Sequence, residues 1–456
     1  MTDRRNFLKL GTGITLTAMS GFPIFTTAAE KIKNKENRLV EPTRKIPIVH
    51  ECDVIVCGGG PAGIAAAISA ARQGASTTLI EMYGCLGGVW TTGLLSNIID
   101  FRDKPGIMKE LVFRLETNDA QYSAKVYDAE LMKYTLDDMC VESGVNIRLH
   151  TRIVAAYKNS ENKLEHIVTE SFSGREAWKA KVFIDTTGNG DLSAYAGCGF
   201  DYGHFKSGQT QPMSLMAILT GLEEEELVAQ GFMASKGATT EISKRKFYNE
   251  IQKGGVSASY TMPTMFAIRP GMIAMMANHQ YEVSALSAEQ ISRATIEARK
   301  EVTQIVNGLR SLGGVWKDVR IVTTGAQIGI REGRRIRGHY TLTSEDLIKG
   351  ARFSDAVCRV NFTVDVHSLK KNAGGGYGSH GIKAKPYDIP IRSLIAKDVN
   401  GLMMAGRCIS GDFFAHASYR VTGNAVAMGE AAGMVAAKAA FEKKLPQEIE
   451  YTGNME

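Results

Sequence analysis

Val54-Ile-Val-Cys-Gly-Gly-Gly-Pro-Ala-Gly63, followed by Thr78-Leu-Ile-Glu81, reads as a complete βαβ unit for a dinucleotide. Residues 53–57 have the pattern of a buried strand. The turn Gly58-x-Gly60-x-x-Gly63 then lets backbone approach a pyrophosphate at the N-terminus of a helix that Pro61 opens and that runs to about Arg72. Glu81 stands 23 residues after Gly58, at the end of a second strand, where a carboxylate accepts both hydroxyl protons of an adenosine ribose. A GxGxxG alone also describes a tight βα turn. Strand, glycines, small-residue helix and terminal acid in register select the dinucleotide reading.

The first 29 residues read as a targeting segment and stand apart from the fold. Asp3-Arg4-Arg5-Asn6-Phe7-Leu8-Lys9 precedes an uncharged stretch to Ala29, and Thr27-Ala28-Ala29 offers small residues for signal-peptidase cleavage. The pattern resembles a twin-arginine export signal, with Asp3 where Ser or Thr is usual. The alternative is a membrane anchor, but Gly11, Gly13, Gly21 and Pro23 make the stretch weakly apolar. Export in the folded state suits a protein that loads a cofactor before leaving the cytoplasm, so a periplasmic or otherwise exported location is expected. No later segment reads as a membrane span. The formal charge of +6 falls by two when Arg4, Arg5 and Lys9 leave with Asp3. The remaining charges are dispersed, without a basic helix face, so nucleic acid is not an expected partner. Seven scattered cysteines, with no CxxC, argue against an iron–sulfur cluster, structural zinc or covalent haem, and no metal is expected. An oxidising compartment permits a disulfide, but the odd count leaves at least one thiol unpaired and the pairing open.

Along the chain, residues 30–48 read as a linker. Residues 49–204 form the first nucleotide part, with short strands expected at 146–150, 151–157, 166–172 and 179–185. Residues 205–385 form a substrate or cap unit, containing a helix from 287 to 312 whose apolar stripe is Ile291, Ala294, Val302, Ile305, Val306 and Leu309. Residues 386–445 return to the nucleotide, and 446–456 form a tail. The strand at 179–185 runs into Asp185-Thr-Thr-Gly-Asn-Gly-Asp191, a glycine turn that brings backbone near a ligand or is an ordinary Asx-type turn.

With Leu86-Gly87-Gly88, Arg334-Arg335-Ile-Arg-Gly and Ala405-Gly-Arg-Cys-Ile-Ser410 beside the fingerprint, the chain resembles the FAD-dependent oxidoreductase family, from about Cys52 to Lys438. That resemblance implies an α/β fold: a glutathione-reductase-type, Rossmann-like FAD-binding domain with a β-meander and an inserted mixed α+β substrate domain. It implies FAD as cofactor and an enzyme. The contacts it implies are Gly58, Gly60, Pro61 and Gly63 at the pyrophosphate, Glu81 at the ribose, Gly87 and Gly88 against the cofactor, and Val154 offering backbone to the adenine. Thr187, Gly188, Asp191 and Arg407 are further cofactor contacts. Asp412 is expected at a ribityl hydroxyl, and Thr422, Gly423 and Asn424 start a helix whose dipole faces the flavin N1/C2=O edge. Some relatives carry iron–sulfur clusters in cysteine-rich segments that this chain lacks. Others belong to polysaccharide-degrading bacteria, which points to a sugar-related substrate.

His416 is the first acid/base candidate, with Arg420 orienting an oxyanion or carboxylate. A structural hydrogen bond is the alternative role for His416. His380, in a glycine-rich loop, is either on a lid or on a linker. Arg331, Arg334, Arg335 and Arg337 form an anion-binding patch or divide between ion pairs and solvent. Three functions are compatible with these residues. One is an exported dehydrogenase or oxidase taking hydride from a hydroxyl-bearing small molecule and passing electrons to quinone, cytochrome or oxygen. The second is a flavin reductase supplied by an external donor. The third is a polysaccharide-binding protein on a flavin fold, without redox turnover.

Overall fold

The computed structural model describes residues 39–453 except 124, 235–238 and 372–375, so the expected signal at 1–29 lies outside the described residues. Leu39 to Lys45 have no regular structure, and the described residues from Ile46 onward form one compact unit.

The fold is organised by one long strand, Gly174–Asp185, which joins the parallel and antiparallel parts of one sheet. From Ala177 to Asp185 it pairs in parallel with the Ile48–Cys57 strand. Beyond Ile48–Cys57 lie Thr77–Ile80 and then Asn146–Arg148, and on its other side the end of the long strand pairs with Leu402–Met404, so five strands run parallel. The first half of the long strand instead pairs antiparallel with Leu164–Ser171, which pairs with Arg152–Lys158. The result is a seven-stranded mixed sheet with a meander branching from the central strand. Central strands such as Val54–Cys57 and Val182–Asp185 are buried on both faces, as a parallel sheet covered by helices requires. The first strand is longer than the residues 53–57 expected, because the half-exposed segment from Ile48 to Asp53 finds a partner in the meander half of the long strand.

Two helices cover this sheet, Pro61–Arg72 and Thr422–Glu442. Both are alanine- and glycine-rich, and they cross with backbones nearly touching. A Cβ at Gly429 would sit 2.0 Å from the Ala62 carbonyl oxygen, and one at Gly433 would sit 2.3 Å from that of Ala66. Ser69 Oγ reinforces the crossing by donating to the Glu430 carbonyl oxygen at 2.8 Å.

A second core lies between a four-stranded antiparallel sheet (Thr264–Arg269, Met272–Met276, Ala217–Thr220, Arg320–Thr324, in that order) and the helices Glu241–Lys253 and Ala288–Ser311. Ser287 caps the longer helix, its Oγ accepting from the Gln290 N–H at 3.3 Å. The stripe read from sequence is its buried face: Ala294, Val302, Ile305, Val306 and Leu309 are buried and Ile291 is half-buried. Leu342, Leu347, Val357, Val360 and Val364 are buried with the nucleotide sheet instead of this second core. No helix among the described residues is long and apolar enough to cross a membrane.

Because the two covering helices approach through backbone, Gly429→Ala has nowhere to put its methyl group. Overpacking of this kind costs about 1–3 kcal/mol. Urea unfolding of Gly429→Ala should show a loss of that size, and wild-type stability would contradict the crossing geometry.

Candidate active site

The fingerprint turn depends on two glycines. Gly58 has φ +111°, and a Cβ on Gly63 would lie 1.7 Å from the Gly58 carbonyl oxygen, so only Gly lets the helix start this close to the strand. Pro61 occupies the first helical turn, and a Cβ on Gly60 would meet no protein atom within 4 Å. That open side of the turn, in front of a helix N-terminus, is where a pyrophosphate fits.

Glu81 is buried and does more than the sequence implied. Its Oε2 accepts from the Gly59 N–H at 2.6 Å and its Oε1 from the Tyr83 N–H at 2.9 Å, so the carboxylate clamps the turn. Burial raises its pKa, and the two backbone donors oppose that rise. Leu86-Gly87-Gly88 folds back on the turn: Gly87 N–H donates to the Gly59 carbonyl oxygen at 2.8 Å, and Gly88 packs against Gly60. Val154 falls where the meander ladder shifts register between Ile153 and Ala155, which takes its backbone out of the regular pairing.

The 185–191 turn is fixed from beneath by Asp185. This fully buried carboxylate accepts from Thr187 N–H and Oγ and from Ser193 N–H and Oγ at 2.7–3.0 Å, so Thr187 is committed to the turn. Gly188 lies against the Arg407 guanidinium, which donates to Asn189 Oδ1 at 2.8 Å. Asp191 pairs with Arg334 at 2.8 Å. Asp412 is a helix cap: Oδ1 accepts from the Ala415 N–H and Oδ2 from the Ser344 N–H, both at 2.7 Å.

From the fingerprint, the segment to Asp100 leads to the second helix N-terminus, where Gly423 N–H donates to the Ile99 carbonyl oxygen at 2.9 Å. Along this path Trp90 Nε1, Ser96 Oγ, Asn97 Oδ1 and both amide atoms of Asn424 are buried without a hydrogen-bond partner. Buried polar atoms are rarely left unpaired. Two helix N-termini, an open glycine face and this row of unmatched donors and acceptors fit an extended dinucleotide such as FAD, lying between Gly60 at one end and Asn424 at the other.

Beside that end lies a polar cluster collected from distant segments. Arg420 donates from Nη2 to Gln211 Oε1 at 3.1 Å and to the Asp365 carbonyl oxygen at 2.8 Å. Gln211 Oε1 also accepts from the His367 N–H, and its Nε2 donates to Glu332 Oε2 at 3.2 Å. Glu332 pairs with Arg335. His367 Nε2 lies 3.4 Å from Asp365 Oδ2, while its Nδ1 is buried without a partner. Burial and the Arg331 charge push the His367 imidazole down to about 4, with Asp365 opposing; burial also raises Asp365, but His367 and Arg420 outweigh it and leave that carboxylate well below its usual range. His279 stacks on Tyr260 at 3.9 Å and meets His367 at 5.0 Å. An open groove of about 1070 Å³ borders the cluster, with Ser259, His279 and Tyr281 in its wall.

His416 is wholly buried, the Arg407 backbone is its nearest hydrogen-bonding neighbour, and its Nδ1 is 3.9 Å from Glu332 Oε1. Burial and the cations Arg335, Arg420 and Arg407 hold it well below the usual imidazole range. His380 is exposed, at φ +49°, with its ring 6.0 Å from Phe414, apart from the cluster. Sequence reading missed Gln211, Asp365, His367 and Tyr260. Val-Asp365-Val-His367 offered an alternating acid and imidazole, but nothing local tied it to the flavin end. All seven cysteines are free, and no group of three or more His, Cys, Asp or Glu able to hold a metal ion occurs among the described residues.

This fold and cradle define a flavin-dependent oxidoreductase. The chain belongs to the FAD dependent oxidoreductase family, whose pattern matches residues 53–454; it is an enzyme and FAD is its cofactor. It is 28% identical over 149 residues to the thiamine thiazole synthase of Methanococcus vannielii, a stretch that is 30% of this chain and 57% of that protein. The chain thus spans little more than half the length of the curated relatives it matches. Among solved structures it is similar to a geranylgeranyl bacteriochlorophyll reductase-like protein of Thermoplasma acidophilum, at 13% identity and TM-score 0.43, covering 86% of this chain and 78% of that one. It is also similar to the myxobacterial chondrochloren halogenase CndH, at 12% identity and TM-score 0.48, covering 88% and 77%.

Glu81→Ala should uncouple two effects. Removing the carboxylate leaves the Gly59 and Tyr83 N–H groups unpaired, at about 1–3 kcal/mol each if they stay buried, and removes the ribose acceptor. FAD retention on desalting should fall, and the flavin-free protein should also melt at a lower temperature. An unchanged melting temperature of the flavin-free variant would mean that Glu81 does not hold the turn.

Proposed function

We propose that the protein is an exported FAD-dependent dehydrogenase or oxidase that removes hydride from the carbon of a small, hydroxyl-bearing, sugar-derived substrate. The observation that carries this reading is the His367–Asp365 pair next to Arg420, two residues before the helix that starts the flavin end of the cradle. Bound FAD supplies the two-electron acceptor. The protein's part is to take the hydroxyl proton as the C–H bond breaks. His367 is suited to it: Asp365 fixes the ring through Nε2, and Nδ1 is left to accept. A depressed pKa keeps that nitrogen unprotonated at neutral pH. Asp365 offsets the charge that forms on the ring, and Arg420 orients the substrate oxygen. The Thr422–Glu442 helix N-terminus stabilises negative charge at its end by up to ~2 kcal/mol in a partly buried geometry. His416 occupies a closed position between Tyr419 and Glu332, which suits a packing role better than the acid/base role.

The five parallel strands with a meander off the central one support the glutathione-reductase subtype of the fold, and the separate core of residues 217–319 supports a substrate unit inserted into it. Electrons then leave to quinone, cytochrome or oxygen. Arg4 and Arg5 support export by the twin-arginine route.

His367→Ala should keep its FAD and slow anaerobic bleaching of the visible flavin band, by whichever hydroxy substrate a screen returns, ~10²–10⁴-fold. In the native enzyme kcat/KM should be flat from pH 6 to 8 and decline only toward pH about 4, because a lowered imidazole pKa means the base is lost only as pH falls through it. A wild-type rate for His367→Ala together with a nearly inactive His416→Ala would move the base to His416.

Replacing both Arg4 and Arg5 with Lys should hold the precursor in the cytoplasm, read by fractionation and immunoblot. Normal periplasmic yield of that variant would contradict the export route.

A further inference from the structure

Four arginines follow closely in residues 331–337, and three of them have acidic partners. Arg334 pairs with Asp191, Arg335 with Glu332 and Arg337 with Asp201. Arg331 is held differently. Its Nη1 donates to the Pro212 carbonyl oxygen at 2.7 Å and to Ser214 Oγ at 2.9 Å, and its Nη2 to Met276 Sδ at 3.5 Å, all neutral acceptors. Among the described residues no carboxylate lies within ion-pair distance of it.

Arg331 shares its surroundings with Arg420. Burial and then the Arg420 charge push the Arg331 guanidinium down to about 10, against the opposing influence of Tyr260, Asp365 and Tyr281. Asp365 is the acid of this corner, and it already serves Arg420 at 3.8 Å and His367 at 3.4 Å. Glu332 is taken by Arg335 and Gln211. His279, His367 and His416 are each held in the neutral form and add no charge at neutral pH. Arg331 and Arg420 therefore share Asp365, and Arg407, which also faces Arg420 and Glu332, donates only to the neutral Asn189 Oδ1, so positive charge is left unmatched in this corner. Unpaired charge in such a setting is costly, and a bound anion removes the cost. Arg331 and Arg420 are each half-buried as residues, and Arg420 Nε is buried without a hydrogen-bond partner.

We infer that the substrate carries a carboxylate and that Arg331, together with Arg420, receives it. A bound carboxylate reduces this excess of positive charge. A planar carboxylate also matches the fork of a guanidinium. The substrate class becomes a hydroxy acid of the sugar-acid type, with the carboxylate on Arg331 and Arg420 and the reacting hydroxyl toward His367. This rests on the flavin reading of the neighbouring cradle.

The test uses purified holoprotein and defined probes at constant ionic strength: acetate and gluconate, their uncharged counterparts acetamide and sorbitol, and inorganic phosphate. Binding is read as perturbation of the visible flavin spectrum and as a rise in melting temperature. Acetate and gluconate should bind and the uncharged pair should not. Arg331→Gln should weaken carboxylate binding at least about tenfold at unchanged FAD per chain, with Arg331→Lys in between. Acetamide binding as well as acetate, phosphate binding more tightly than either carboxylate, or unaltered carboxylate affinity in Arg331→Gln would each overturn the inference. The comparison of charged with uncharged probes needs no variant, so it stands even if Arg331→Gln fails to fold. The melting shift can be read with or without flavin, so a protein that lacks FAD yet still binds carboxylate would sink the flavin reading and keep this one.

Discussion

The approach of Gly63 to the Gly58 carbonyl oxygen is the constraint on which the site is built. A side chain at Gly63 would push the helix off the strand, and with it the N-terminus that faces the pyrophosphate position. The same closeness lets Glu81 reach the Gly59 N–H, lets the Gly87 and Gly88 segment fold over the turn, and sets Ala62 and Ala66 against Gly429 and Gly433. Sheet, both covering helices and cofactor cradle are therefore one packing problem, solved with residues that have almost no side chain. Close packing of this sort leaves little room for compensation.

Electrostatics divides the rest. On the nucleotide side, acids act as struts: Asp185 ties its turn through four hydrogen bonds, Asp412 caps a helix, and Glu81 clamps the fingerprint. Beside the flavin end, cations are in excess and imidazoles are kept neutral by burial and by those cations. That division has a chemical consequence. Neutral imidazole near guanidinium can accept a proton but resists holding it, which suits a base that must be reset after each turnover.

Much of this was legible in the sequence because it is local. The fingerprint, the acid ending the second strand, and the stripe of the Ala288–Ser311 helix depend on spacing alone. The meander was visible as strands, but the sharing of its last strand with the parallel sheet was not, since pairing is a long-range choice. Asp412 carries a capping signal, an acid opening a helix, that competes with the ribityl role. Of the polar cluster only Arg420 was legible: Gln211, Tyr260, Asp365 and His367 come from segments far from it in the chain, and only the fold brings them together. The run from Arg331 to Arg337 shows the same limit. Its spacing could not reveal that Arg334, Arg335 and Arg337 would find acids while Arg331 would not.

The most direct test of the account is the nucleotide itself. The purified protein should carry one FAD per chain, released on denaturation and identified by its absorbance and mass, because the fingerprint turn and the Asn424 end address the two halves of one molecule. Protein made with ample riboflavin that releases no flavin, or that carries a nicotinamide dinucleotide in its place, would contradict it.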